Sequence, residues 1–380
     1  MSVGALYVHV PFCVRKCAYC DFASSETRAD DPLMDAYLNE RLNELECCAN
    51  AGLLDDCKTA YLGGGTPTHL GARRIGALAA RIRQLCPQLI EFSCEANPDS
   101  LTNDVLATLV DAGVTRLSIG VQSLDDVELR ALGRIHTAGQ AKERVAAAVK
   151  TGLDVSVDLM CAVPHQTDVS WQRTLEEAID LGIDHLSVYP LTIEEGTPLE
   201  YQYRNEPMPW NDEDVQAERM EAAERILVTA GFARYEVASY AKPGKRCAHN
   251  IAYWTGVPYV GLGPGAASML DAEAYDSACS VFGWLPPRKP DSARMRFSTL
   301  ERDVEFLSAR EAWAEDLMLG MRMTDGIEAS RLDAAPHTRE DLLSRGLIER
   351  HGDRLMPTHD GWLIGNELFG TLWDLAVPSP

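Results

Sequence analysis

Three cysteines stand within eight residues of the stretch YVHVPFCVRKCAYCDFAS, at Cys13, Cys17 and Cys20, and Phe22 follows two residues after the last. Thiols at that density suit a metal, because a cysteine thiolate is a soft and strong ligand. A structural zinc site closes with four ligands, usually from paired Cys-x-x-Cys knuckles, and only one such pair is present locally. A cubane iron–sulfur cluster is also normally held by four cysteines. Three thiolates leave one place open. Cys94 and Cys161 fall near strand ends and could in principle fill it, but Cys94 alternates with Glu95 and so belongs to the opposite strand face. On a helix the three cysteines would form a core stripe; Pro11 and the apolar run before them point to a loop. Cys47, Cys48, Cys57 and Cys86 read as small core residues.

The elements that must position this loop are legible as an alternation. The apolar runs ALYVHV, KTAYLG, IEFSCEA, RLSIGV, VSVDLM and HLSVYPL are separated by stretches with helical spacing, such as MDAYLNERLNEL and RRIGALAARIRQL. Six such units by about residue 200 predict a parallel sheet covered by helices, a partial (βα)6 TIM-like barrel within the α/β class. In barrels the chemistry gathers where strands finish. Here the first strand runs into the cysteine loop and the second into GGGTP, Gly63 to Pro67. The next four carry Glu95, Gln122, Asp158 and Tyr189. Six such endings on one face predict a binding site. Bare glycine backbone would let a ligand come close, although a plain tight turn explains the same run.

The bulk numbers narrow the setting. The chain has 380 residues, 35 Lys+Arg against 57 Asp+Glu and a formal net charge of -22. Such acidity argues against a surface that wraps nucleic acid, which needs basic residues to displace counterions. No stretch reaches the roughly 18 apolar residues of a membrane span, and the start lacks the marks of a secretion signal. A cytoplasmic address is expected, where thiols stay reduced. The odd total of eleven cysteines could not pair completely in any case.

CVRKCAYC resembles the Cys-x-x-x-Cys-x-x-Cys signature of the radical S-adenosylmethionine (SAM) enzymes. That resemblance implies a [4Fe-4S] cluster on Cys13, Cys17 and Cys20. Its fourth iron would be chelated by the amino and carboxylate groups of SAM, which reduction cleaves to methionine and a 5′-deoxyadenosyl radical. YVHVPFC, YLGGGTP, CEANPDS, RLSIGVQS, LGRIHT, VDLMCAVP and YPLTIEEGTPL narrow the match to the branch that holds oxygen-independent coproporphyrinogen III oxidase and the heme chaperone HemW. By the same resemblance Tyr7, Tyr19, Gly64, Gly65, Thr66, Glu95, Gln122, Arg134 and Asp158 line the SAM site. Glu95 would accept ribose hydroxyls, Arg134 would meet the SAM carboxylate, and the glycines would approach the methionine amino group. An internal Arg134–Asp158 ion pair is the plainer alternative. Valine at Gly64 is expected to obstruct SAM while folding survives.

Three features favour the chaperone side of the branch. The oxidases carry a further cysteine where this chain has Phe22, and they have an extension before the segment that starts here at Tyr7. HNIAYW, His249 to Trp254, matches a chaperone segment. The resemblance thus implies heme with His249 as a candidate axial ligand, Tyr253 and Trp254 as flat apolar surface, and Cys247 as a second candidate. It also implies an acceptor protein, such as a membrane respiratory enzyme. Ala267 stands where many relatives have His, so no role of that residue carries over. The rival readings are an oxidase acting on coproporphyrinogen III and a zinc-stabilised scaffold.

Three regions are expected: the barrel over 1–235, a heme-motif segment and linker over 236–300, and a module over 301–380. WLPPRKPDSARMRF reads as linker. The last region reads as mostly helical and winged-helix-like, with a Gly-Asp turn between two short strands. It is not expected to bind DNA, because residues 311–380 hold six basic and thirteen acidic side chains.

Overall fold

A computed structural model describes residues 2–377. The first strand, β1 (Ala5–Val10), leads into the cysteine loop, whose two ends are paired as β2 (Phe12–Cys13) and β3 (Ser25–Glu26). β4 (Thr59–Gly64), β5 (Glu91–Ala96), β6 (Arg116–Gln122), β7 (Asp154–Cys161) and β8 (His185–Pro190) then follow β1 in parallel order. Helices connect them, several started by a side chain that takes up a free N–H of the first turn: Thr102, Asp125, Thr137 and Thr167 each do so.

Each barrel strand alternates. Leu6, Val8, Leu62, Phe92, Leu117, Ile119, Val157 and Val188 face the helices in one continuous apolar core. The intervening residues face the hollow of the sheet and are largely polar: Tyr7, Tyr61, Glu95, Ser118, Asp158 and Ser187. This interior is why the strands are not apolar on both faces, as the sequence pattern suggested.

The sheet does not stop at six strands. β9 (Ala233–Arg234) and β10 (Ser239–Ala241) extend it antiparallel beyond β8. At the other side β11 (Tyr259–Leu262) lies parallel to β1, followed by β12 (Ala267–Leu270), β13 (Arg294–Ser298) and β14 (Val304–Leu307). The heme-motif segment is therefore built into both flanks of the barrel sheet. Part of the expected linker is strand: Arg294–Ser298 alternates arginines with the buried Met295 and Phe297.

The C-terminal region has its own core of Leu317, Leu332, Leu342, Leu368 and Phe369. Its helices Ala309–Gly320, Pro336–Ser344 and Gly365–Trp373 surround a small sheet of β15 (Ile327–Glu328), β16 (Ile348–His351) and β17 (Arg354–Pro357). The expected pair of strands about Gly352 is present. Trp362 joins this unit to the barrel: its indole N–H donates to Val237 O at 2.9 Å and the Arg234 guanidinium lies over its ring.

Candidate functional site

At the carboxyl ends of β1 and β4–β8 lies a cavity of about 440 Å³. Cys13, Cys17, Cys20, Tyr19, Gly64, Gly65, Thr66, Glu95, Gln122, Arg134 and Asp158 all line it, and so does Tyr189. Of the residues expected here, Tyr7 alone is elsewhere in the hollow. Its hydroxyl bonds His9 Nδ1 at 3.0 Å, and His9 Nε2 bonds Ala23 O at 2.9 Å. A carbonyl can only accept, so Nε2 carries the hydrogen and the Tyr7 hydroxyl donates to Nδ1. The pair thus ties the far end of the cysteine loop to β1.

A hydrogen-bonded string joins two of the thiols. Thr66 Oγ1 donates to Cys13 Sγ at 3.5 Å and accepts from Asn97 Nδ2 at 2.9 Å. Arg134 Nη2 donates to Asn97 Oδ1 at 2.8 Å, and Arg134 Nη1 to Cys17 Sγ at 3.2 Å. Burial would lower the Arg134 pKa, but the neighbouring Cys17 and Tyr19 hold it above its ordinary value. The Arg134–Asp158 ion pair does not form: Arg134 bonds Gly120 O, Asn97 and Cys17, and Asp158 accepts from Ser118. Burial pushes the Cys13 and Cys20 thiols up.

The arrangement fits a cluster and SAM. Among the described residues no three His, Cys, Asp or Glu side chains gather as they would around a single ion. Thiolates that each bind a different iron of a cubane need no such convergence. Two polar atoms on the wall lack partners, Gln122 Oε1 and Arg134 Nε. Gln122 also has φ 66, a left-handed conformation that is costly outside glycine and common at binding sites. Cys94 and Cys161 are packed in the apolar core behind the strands and do not line the cavity. Cys48, Cys57 and Cys86 are buried as expected, whereas Cys47 is exposed.

Gly64 carries a correction. Its φ of 108 and a Cβ that would stand 2.5 Å from the His9 ring require glycine for the backbone and its packing. Valine there would strain the strand end itself, so that substitution does not isolate ligand contact.

Glu95 and Asp158 face each other across the hollow. Glu95 accepts from the Tyr61 hydroxyl and from Gly64 N–H, both at 3.0 Å. Burial first, and then the Asp158 charge, push its pKa up to about 7. Burial pushes Asp158 to about 6 against the hydrogen bonds of Ser118, Ser187 and Tyr189. A carboxyl that holds its proton more tightly folded than unfolded penalises the folded state as pH rises past about 4.5, fully so above pH 7. Glu95→Gln is expected to stabilise the cofactor-free protein at pH 8 by about 2–3 kcal/mol and to change little at pH 4.5, as checked by thermal unfolding at the two pH values.

A second cavity of about 450 Å³ adjoins the first and shares Glu95, Ser118, Asp158 and Tyr189 with it. Tyr7 lines it, and the helix Ala248–Trp254 brings His249 to its wall. That helix is held by Glu91, which accepts from the backbone N–H groups of Ala248 and His249, each at 2.9 Å, and from Cys247 Sγ at 3.2 Å. Arg116 Nε pairs with Glu91 at 3.1 Å. The His249 ring stacks on Tyr61, its Nδ1 lies 2.9 Å from Thr59 Oγ1, and its Nε2 is buried without a partner. Burial lowers the His249 pKa to about 4, so the imidazole is neutral at pH 7. Cys247 is engaged by Glu91, and burial with that charge pushes its thiol up to about 12. Tyr253 already stacks on Tyr259 at 4.3 Å. Thr59, Tyr61, Glu91, Asn97 and Arg116 were not singled out from the sequence. Their signal is period two, a polar residue at alternate positions of an otherwise apolar strand, or for Asn97 its place just past a strand end.

Comparison with known proteins agrees with this layout. Residues 7–178 match the model of the radical SAM superfamily, and residues 307–364 match the HemN C-terminal domain. The structure of coproporphyrinogen III oxidase (HemN) from Escherichia coli superposes with a TM-score of 0.73 over 99% of this chain and 90% of that one. At 21% identity this likeness concerns the fold. Heme chaperone HemW of Bacillus subtilis is 32% identical over 378 residues, 96% of this chain and 97% of the relative. HemW of Mycobacterium tuberculosis is 35% identical over 376 residues, which span 97% of this chain and 94% of that protein. Likeness of that depth, running through barrel, flanking strands and C-terminal unit alike, shows that the chain belongs to the heme chaperone HemW family of radical SAM proteins.

Proposed function

We propose that this protein is a heme chaperone that holds a [4Fe-4S] cluster on Cys13, Cys17 and Cys20, binds SAM beside it, and carries one heme as cargo for an acceptor protein. The observation that carries the heme assignment is His249, a buried neutral imidazole with an unpartnered Nε2 on the wall of the barrel hollow. That the similar proteins are heme chaperones supports the same reading. When bound, the cluster supplies an open iron position for the amino and carboxylate groups of SAM. The chain's own part is to place that ligand. Arg134 offers a fixed cation to the carboxylate, Glu95 accepts from ribose hydroxyls, and Gln122 Oε1 provides a free acceptor.

At the other end, Nε2 is buried without a partner on a residue that lines the second cavity. No described helix is long and apolar enough to cross a membrane. We place the protein in the cytoplasm, with an acceptor such as a membrane respiratory enzyme.

The test is anaerobic reconstitution followed by heme titration and, separately, incubation with coproporphyrinogen III, SAM and a reductant. His249→Ala is expected to shift the Soret band and to weaken heme retention, because a methyl group cannot ligate iron. Cys247→Ala is expected to do less, since its thiol is held by Glu91. Unchanged heme spectra in His249→Ala, together with carbon dioxide release by the wild type, would move the assignment to an oxidase.

A further inference from the structure

The helix Ala248–Trp254 brings His249 to the hollow, and Glu91 fixes its backbone. The Tyr61 stack, with ring centroids 5.1 Å apart and planes at 26°, fixes the plane of the imidazole. Neither contact distinguishes the ring from the same ring flipped, because a stack sees both faces alike and exerts no pull on one nitrogen over the other. One contact does. Thr59 Oγ1, on the first residue of β4, lies 2.9 Å from Nδ1 and is the polar partner of the ring; Nε2 has none. Thr59 is itself buried, so water does not compete for that bond.

A neutral imidazole carries a hydrogen on one nitrogen and a lone pair on the other, and the partner of the first decides the character of the second. If the hydroxyl donates to Nδ1, Nε2 bears an N–H that is buried with nothing to receive it. If the hydroxyl oxygen accepts Nδ1–H, Nε2 presents a lone pair, the form that can bind iron. We propose that Thr59 is a positioning residue for cargo binding: its oxygen accepts Nδ1–H and holds His249 with the Nε2 lone pair available to the heme iron. This inference rests on the reading of His249 as the heme ligand. Outer partners of this kind typically change metal affinity by about 10–100-fold.

The test begins in the heme-free protein, by nitrogen-15 NMR of the His249 ring in the full chain. The wild type is expected to show the Nδ1–H tautomer. Thr59→Val keeps the shape and removes the hydroxyl; it is expected to lose the tautomer preference and to release heme to a scavenging apoprotein roughly 10-fold faster or more. Thr59→Ser is expected to restore both. Thr59→Ala, which opens space rather than filling it, gives the same readout if the valine variant does not fold. An Nε2–H tautomer in the wild type, or unchanged release from Thr59→Val while His249→Ala loses heme, would overturn the positioning role and leave the ligand assignment standing. Full heme retention by His249→Ala would remove both.

Discussion

Alanine at Cys13, Cys17 or Cys20 is expected to take anaerobically reconstituted protein from about four irons per chain to none, the content of a single cubane. Cys94→Ala and Cys161→Ala are expected to keep that iron. The contrast comes from strand geometry. Glu95 and Asp158 face the cavity that the three loop cysteines line, whereas Cys94 and Cys161 sit in the apolar core on the other side of their strands. Burial holds both of these thiols in the protonated state, with Cys161 pushed up to about 12. Neither can reach an iron at the strand ends without turning its strand over. Iron and sulfide analysis of the five variants, with Tm measured alongside, decides the matter. Loss of iron in Cys94→Ala or Cys161→Ala at unchanged Tm would mean that the protein closes the fourth position, and SAM would have no place on the cluster.

The largest stability effect is expected at the base of the hollow. Glu91→Ala is expected to cost about 2–4 kcal/mol, because it leaves the buried Arg116 with only the longer, more exposed contact to Asp154 at 3.4 Å. It also strips the N–H groups of Ala248 and His249 of their acceptor. Replacing Glu91 and Arg116 together with apolar residues is expected to cost less than Glu91→Ala alone, since no buried guanidinium is then left short of its nearer partner and Asp154 keeps Lys245. Denaturant unfolding of the two variants checks the order. Burial alone would raise the Glu91 pKa, but Arg116 and the three donors at the helix start hold it below its ordinary 4.5. Its stabilisation is therefore present above about pH 4.5 and is lost as pH falls through the lower folded value. Glu95 and Asp158 act in the opposite direction as pH rises. These three carboxyls together favour a cofactor-free protein that is firmest in mild acid.

The sequence was most legible where two patterns coincided. The six barrel strands show as apolar runs between helical stretches, and the polar residues that end them meet at one cavity, Gln122 and Asp158 included. What escaped were the features that depend on pairing at a distance. Glu91 and Arg116 open β5 and β6, at the ends away from the polar residues that drew notice, and only their juxtaposition with residues 247–249 gives them a purpose. Arg294–Ser298 looked like linker because arginine and proline dominate its surroundings; its alternation makes sense once β12 and β14 lie on either side. Tyr7 was assigned to the SAM wall by resemblance, whereas in the structure its hydroxyl is spent on His9. Gly64 does line the cavity, but its φ and the His9 ring also demand glycine, which the sequence did not show.

The place of β1 in the sheet also sets a timetable. It is hydrogen-bonded on one side to β4 and on the other to β11, with Ala5 to Val8 in register with Tyr259 to Leu262. The strand made first during synthesis thus waits for a neighbour about 250 residues later. At translation rates of about 5–20 residues per second that delay is roughly 13–50 s. Throughout it, one side of β1 presents a row of unmatched N–H and C=O groups, the kind of edge that recruits stray strands. The segment that carries His249 thus runs directly into the strand that covers the open edge of β1. A nascent chain cannot complete the wall behind its cysteine loop before the heme motif has been made.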